Sequence, residues 1–410
     1  MTIHSTLWLA MFVAACSPSS RHERADAIVH AGPEDDAAST CATAITGKVF
    51  APNGTLPLYN VTVYIPVGAP LPFTEGVSCD QCATVLSGGV LVSTTTDTNG
   101  AFRLEGVPTD REFPVVVTIG KWRRTVTIPR VAACQDTAIP DPMLRLPRNR
   151  EEGDLPRIAL VSGSFDSLGC ILPKLGVDSS EFGDSSSGPE RIVFYRGHNG
   201  AVPGNPASAL TDLWPNLDEL KKFDMVINSC EGNYYLADKT APDVMRKYAD
   251  MGGRVFGSHF HFTWTKNLIP EWKSTASWEP GTYSGPHLVD TSFPKGMALA
   301  QWLVATGAST TFGKVYLAET KPVAGDVVPP TSRWLYSEPP VTTHYLSFDT
   351  PVGVEPEKQC GRVVVAGMHV AHDSTVNAFF PAGCGPGLTA DEKAMVFLLF
   401  DLQACVGVIL

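Results

Sequence analysis

Basic residues are scarce in this chain of 410: 31 Lys and Arg stand against 42 Asp and Glu, for a net charge of −11. That deficit excludes a nucleic-acid partner, whose phosphates call for a basic face. The basic cluster Lys121-Trp122-Arg123-Arg124 falls between two apolar runs and reads as the solvated end of a hairpin. Long hydrophobic runs are missing as well. The apolar stretch Leu7 to Ala15 is too short to span a bilayer. Charged residues make up 18% and hydrophobic residues 44%, which excludes a mostly disordered chain.

What is present begins with that short apolar run, which Cys16 follows at once. Val13-Ala14-Ala15-Cys16 resembles the bacterial lipobox, although the segment Met1 to Thr6 lacks the usual Lys or Arg. The resemblance implies a lipoprotein signal peptide over residues 1–15, cleavage before Cys16 and acylation of its sulfur. Ser17 in place of Asp resembles lipoproteins sorted to an outer membrane, so the expected location is that membrane, facing periplasm or cell surface. An ordinary secreted signal peptide is the alternative. Residues 16–40 are polar and aperiodic and read as a disordered tether. Of ten cysteines, removing Cys16 leaves nine. In an oxidising compartment most should pair, and an odd number leaves at least one free thiol.

Residues 41–147 are all-β by pattern. Alternating runs at Ile45 to Phe50, Val61 to Ile65, Val90 to Thr96, Ala101 to Leu104, Val115 to Ile119 and Thr125 to Ile128 are separated by turns such as Pro52-Asn53-Gly54 and Asp97-Thr98-Asn99-Gly100. Many short strands at this spacing mean a sandwich. The sequence from Ile45-Thr46-Gly47-Lys48-Val49-Phe50 through Thr98-Asn99-Gly100-Ala101-Phe102-Arg103-Leu104 resembles the carboxypeptidase regulatory-like sandwich, whose copies are mostly non-catalytic spacers or adhesion units and in part carbohydrate-binding-like. An insertion, Pro66 to Gly89, carries Cys79-Asp80-Gln81-Cys82. With no second CxxC and no thioredoxin-like βαβ around it, disulfides are favoured over a redox pair or half a zinc site. Cys41 and Cys134, near the two ends, are one candidate pair.

A charged, Pro-bounded linker over 148–156 leads into residues 157–410, where the pattern changes to buried strands alternating with helices. Strands are expected at Arg157 to Val161, Arg191 to Tyr195, Asp224 to Asn228, Arg254 to Gly257 and Gly361 to His369, with edge strands at Lys314 to Leu317 and His344 to Phe348. Helices are expected through Leu168 to Leu175, Leu213 to Lys222, Ala241 to Met251 and Phe293 to Thr306. A capping box, Thr389-Ala390-Asp391-Glu392, opens an amphipathic helix expected over Lys393 to Val406. This order means an α/β fold with a doubly wound parallel sheet. Phe223-Asp224-Met225-Val226-Ile227-Asn228-Ser229-Cys230-Glu231-Gly232, the run Tyr248 to His259 and Gly361 to His369 resemble the class I glutamine amidotransferase-like fold, its ThuA-like branch most closely. The position matching the nucleophilic cysteine is Ser258-His259, without a cysteine, so glutaminase activity is not expected.

Ligands in such sheets bind at the carboxyl ends of the strands, and the candidate residues gather there. His259 and His261, two apart on an extended segment, would point the same way, and His369 and His372 with Asp373 follow the last strand. Together they suggest a divalent metal such as zinc, with hydrogen-bonded packing histidines as the plain alternative. Cys230 reads as a nucleophile or, favoured in an exported chain, as a disulfide partner of Cys170. Glu231 reads as a general base or metal ligand. Ser162-Gly163-Ser164 would cradle an anion. Trp264, with Trp272, Trp278 and Trp302, would line a saccharide face or pack in the core. The expected function is binding of a small polar or saccharide ligand at these strand ends. A structural or adhesive protein with an inactive α/β domain and a metal-dependent hydrolase are the alternatives.

Overall fold

The computed structural model describes residues 41–81, 86–166, 168–281, 285–318, 320–370, 384–385 and 387–406. The expected signal peptide, Cys16, the tether, Cys82, His372 and Asp373 lie outside them.

Period-two alternation builds the first region. β1 (Ala44–Lys48), β2 (Thr62–Pro66), β3 (Val90–Thr95), β4 (Ala101–Glu105), β5 (Phe113–Ile119), β6 (Trp122–Ile128) and β7 (Asp136–Ala138) form two sheets, ordered β4-β1-β7 and β3-β2-β5-β6. In β4, Phe102 and Leu104 point inward and Arg103 and Glu105 outward, as a half-buried strand requires. The short β7, absent from the sequence reading, pairs parallel to β1, and Cys41 is bonded to Cys134 beside it.

The second region is a mixed sheet of ten strands. They are β8 (Ile158–Ser162), β9 (Phe182–Gly183), β10 (Ile192–Arg196), β11 (Met225–Asn228), β12 (Arg254–Ser258), β13 (His287–Val289), β14 (Lys314–Val315), β15 (Ser332–Ser337), β16 (Thr342–Thr350) and β17 (Gly361–Ala366), in the order β14-β13-β15-β16-β17-β12-β11-β8-β10-β9. From β9 to β17 every pairing is parallel; from β17 outward every pairing is antiparallel. The expected all-parallel sheet is therefore only its core, because the Pro-rich stretch 265–350 returns as a meander on one edge. Numbered from β8, the five long parallel strands run 2-1-3-4-5, the flavodoxin-like order, with the switch point between β8 and β11.

Helices α1 (Ile171–Lys174), α2 (Leu217–Leu220), α3 (Pro242–Asp250), α4 (Pro270–Lys273), α5 (Pro294–Ala305) and α6 (Ala390–Gln403) accompany the sheet. Successive strand residues feed opposite cores. Ile158, Leu160, Phe194 and Ile227 join α5, α6 and the inner residues of the sandwich. Ala159, Val161, Val193 and Val226 join Met245, Tyr248 and Ala249 of α3. The capping box forms, with Thr389 Oγ accepting from the Glu392 N–H at 3.2 Å. Yet α6 is buried on nearly all sides rather than amphipathic, since Tyr59 stacks on Phe397 and Trp122 meets Phe400 from the sandwich.

The described residues from Cys41 onward consequently form one compact unit with a core continuous across both regions. The basic cluster at 121–124 is not a solvated hairpin end. Lys121 and Arg123 are buried; Lys121 Nζ lies 2.5 Å from Asp224 Oδ1 and donates to the carbonyls of Thr74 and Gly76, while Arg123 pairs with Asp154. Docking of the two regions removed these cations from water and supplied their acceptors.

Candidate functional site

The carboxyl ends of β8, β11, β12 and β17 lie side by side, and the backbone there is close-packed. A Cβ on Gly163 would collide with the Cys230 carbonyl, so only glycine lets the turn after β8 rest on the turn after β11. Ser164 Oγ donates to the Glu231 carbonyl at 2.7 Å, and the Gly197 N–H approaches Ser162 Oγ. These groups knit the strand ends together instead of forming the expected anion cradle. The helical segment that follows is one short turn, too brief for a useful dipole.

β12 ends at Ser258, whose Oγ lies 2.5 Å from Asp166 Oδ2 and 2.8 Å from the Met368 carbonyl. Asp166 Oδ1 also accepts from the Val370 N–H at 2.7 Å. One buried carboxylate thus pins the ends of β12 and β17. The chain then turns at His259, whose φ of +22° is a strained value for a β-branched-free but bulky side chain, into a short 3-10 helix, His259–Phe262.

That turn separates the two histidines expected to act together. His261 is buried, and both its nitrogens are engaged: Nε2–H donates to the Ser229 carbonyl at 3.0 Å, and Nδ1 accepts from Trp264 Nε1–H at 3.3 Å. Burial pushes its pKa down to about 4, fixing it as a neutral structural side chain. Trp264 is its buried partner, and Trp272, Trp278 and Trp302 are likewise core residues rather than a saccharide face.

Glu231 is not available as a base or ligand either. Its Oε1 accepts from the His198 N–H at 2.9 Å and its Oε2 from Lys239 Nζ at 2.8 Å, with both side chains inaccessible to solvent. Lys239 in turn faces the rings of Trp214 and Trp264. Asp166, Lys239 and His198 were missed in the sequence because nothing local marks them. Asp166 and Lys239 act across 92 and 8 residues respectively.

Three of the candidates do converge. Cys230, His259 and His369, from the ends of the adjacent strands β11, β12 and β17, offer ligand atoms all within 4.8 Å of one another. Cys230 Sγ is 3.9 Å from His259 Nδ1, and the two imidazole rings meet edge to face at 5.0 Å. Cys230 is the one free cysteine among the described residues. Its expected disulfide with Cys170 does not form, because Cys170 is bonded to Cys384. Burial pushes the Cys230 thiol up to about 11, although backbone N–H groups of Phe260 and Gly232 point at the sulfur. Burial, with His369 nearby, pushes His259 down to about 4. A neutral thiol beside a neutral imidazole is a poor nucleophile pair, since catalysis needs the thiolate. A thiol and neutral imidazoles suit a divalent cation, which displaces the thiol proton on binding. Around the cluster stand Phe165, in edge contact with His369, and Tyr234, in contact with Phe260 and Phe262, both well exposed.

No protein family and no curated protein matches the chain. Among solved structures, two crystal structures of type II cohesin–X-dockerin complexes from Acetivibrio cellulolyticus, one an N-terminal and one a C-terminal interface mutant, show similarity at 18% and 17% identity. Each match covers 36% of this chain and 78% of the other, with TM-scores of 0.18 and 0.16.

Proposed function

We propose that this chain is an exported metalloprotein in which Cys230, His259 and His369 hold one divalent ion of the zinc type, its fourth position taking a small polar ligand. The observation that carries the reading is the approach of one thiol and two imidazoles to within 4.8 Å at three adjacent strand ends, beside the switch point of the sheet. One thiolate and two neutral nitrogens, with a position left open, suit zinc chemistry. Among the described residues the nearby carboxylates Glu231 and Asp166 are saturated by internal donors, which favours ligand binding over hydrolysis. The 2-1-3-4-5 order and the strained residue just after β12 support the amidotransferase-like, ThuA-like resemblance, and the alternating strands of 41–147 support the carboxypeptidase regulatory-like one. The lipobox at Cys16 supports lipid anchoring in an outer membrane.

The test is the metal content of the mature protein, exported and purified without chelator, beside His259→Ala and His369→Ala. About one equivalent of a divalent ion, lost in both variants, supports the reading; metal-free wild type refutes it. A structural protein with a degenerate site is the second reading, favoured by the saturation of Glu231 and His261, and a metal-free yet fully stable wild type would select it.

A further inference from the structure

A divalent ion held by the Cys230 thiolate and the neutral rings of His259 and His369 keeps one uncompensated positive charge at the strand ends. Glu231 and Asp166 are the carboxylates close by. Lys239 and the His198 N–H occupy the first, Ser258 and the Val370 N–H the second, so neither answers that charge.

A second cation stands on the same side. Thr320 bridges Met368 in antiparallel register, and the Lys321 N–H donates to the Gly367 carbonyl at 2.5 Å, so Lys321 lies opposite Gly367 just beyond β17. Alternation along paired extended segments puts Lys321 on the face of His369, as its diagonal neighbour, while Met368 turns into the core. Lys321 is exposed, its ammonium forms no ion pair among the described residues, and its charge acts on the His259 ring.

Aromatic surface flanks the cluster. Phe165 is 60% exposed and Tyr234 42% exposed. The Phe165 N–H donates to the Cys230 carbonyl at 3.2 Å, its side chain lies beside Gly232, and its ring meets His369 edge-on at 5.0 Å. The Tyr234 ring is 5.2 Å from Phe260, whose own ring is 4.2 Å from that of His259. Exposed rings on either side of a polar cluster offer area that a ligand rather than the fold would bury.

We infer, resting on the metal centre proposed above, that its open position takes a small carboxylate with an aromatic body. One carboxylate oxygen lies on the ion, the other toward Lys321, and the ring lies against Phe165 and Tyr234. Two positive centres on one side suit a two-oxygen anion better than an uncharged donor, and edge and face contacts with aromatic side chains suit a flat body.

The test titrates phenylacetate calorimetrically into the mature protein, purified without chelator and assayed for bound metal, with acetate and phenylacetamide as controls. Phenylacetate is expected to fill one site at least tenfold more tightly than either control, and to lose that site when a chelator strips the metal. Phe165→Ala and Tyr234→Ala should each bring phenylacetate toward acetate, and Lys321→Gln should weaken it by up to about fivefold with the metal content unchanged. All three positions are exposed, and unchanged thermal melts would confirm that the variants fold. With metal present, phenylacetate no tighter than acetate, binding that survives the chelator, or unchanged affinity in all three variants would overturn the assignment and leave the metal centre standing. A wild type without metal would overturn both.

Discussion

Replacing Lys239 by Met isolates the interaction that holds the turn carrying Cys230. The side chains of Lys239 and Glu231 are both inaccessible, and their atoms meet at 2.8 Å. Burial opposes ionisation of Glu231, but His261 once protonated, the Lys239 ammonium and the His198 N–H outweigh it and bring its carboxyl below the ordinary range. Methionine keeps the volume of the lysine stem and leaves the carboxylate buried without its cation, which costs about 3–5 kcal/mol. Glu231→Leu strands Lys239 instead and costs a similar amount. The double variant Lys239→Met/Glu231→Leu removes both charges, leaves the His198 N–H without its acceptor at about 1–3 kcal/mol, and drops the long 3.4 Å contact to the Tyr235 carbonyl. Urea unfolding of the four proteins gives the cycle. The double variant should be far more stable than the sum of the singles requires, and the Lys239→Met deficit should shrink between pH 7 and pH 5 as Glu231 takes up a proton. Additive losses, or a Lys239→Met loss below about 1 kcal/mol that is flat with pH, would refute the buried-pair account.

Three further outcomes follow from the same structure. His261, His259 and His344 are held neutral, each pushed down to about 4, chiefly by burial. Their stabilising preference is complete above the unfolded value of about 6.5 and is lost as pH falls toward 4; fully buried His261 alone should add up to about 1.4 kcal/mol per pH unit to the slope of stability, measured by urea unfolding across that window. Cys79 and Cys360 are bonded across a separation of 281 residues, so Cys79→Ser/Cys360→Ser should lose about 4–5 kcal/mol and open the sandwich seam to protease. Gly163→Ala would drive a methyl into the Cys230 carbonyl, so metal affinity should fall by tenfold or more, read by competition with a chelator, and a variant of unchanged affinity would disprove the contact.

Much of the framework was legible because burial on two faces leaves a plain mark. Ile158-Ala159-Leu160-Val161 and Met225-Val226-Ile227-Asn228 read as buried strands and are β8 and β11. The capping box at Thr389 marked the entry to α6, which nonetheless starts and ends three residues earlier than the expected Lys393 to Val406. The meander was less legible: β15 and β16 lie in the Pro-rich stretch 265–350, where no helix alternates with strand to announce the sheet. At the strand ends, the structure groups the candidate residues differently from the sequence reading, bringing Cys230, His259 and His369 together. The spacing of His259 and His261 implied a shared direction only while the chain stayed extended, and the positive φ at His259 removed that condition. Cys230 read as a disulfide partner because compartment favours pairing, yet Cys170 meets Cys384 across 214 residues, a separation no local pattern encodes. The roles of Glu231 and Lys121 were hidden for the same reason, since their partners Lys239 and Asp224 are fixed by tertiary packing.

The most direct measurement is a cobalt(II) titration of the metal-free mature protein, followed by its optical spectrum. The account predicts a one-to-one endpoint with a thiolate-to-cobalt charge-transfer band and the visible bands of a four-coordinate ion. The charge-transfer band should vanish in Cys230→Ser, and affinity should fall in His259→Ala and His369→Ala. An unchanged spectrum on adding cobalt, or a charge-transfer band that survives Cys230→Ser, would contradict the assignment of Cys230, His259 and His369 as the metal centre.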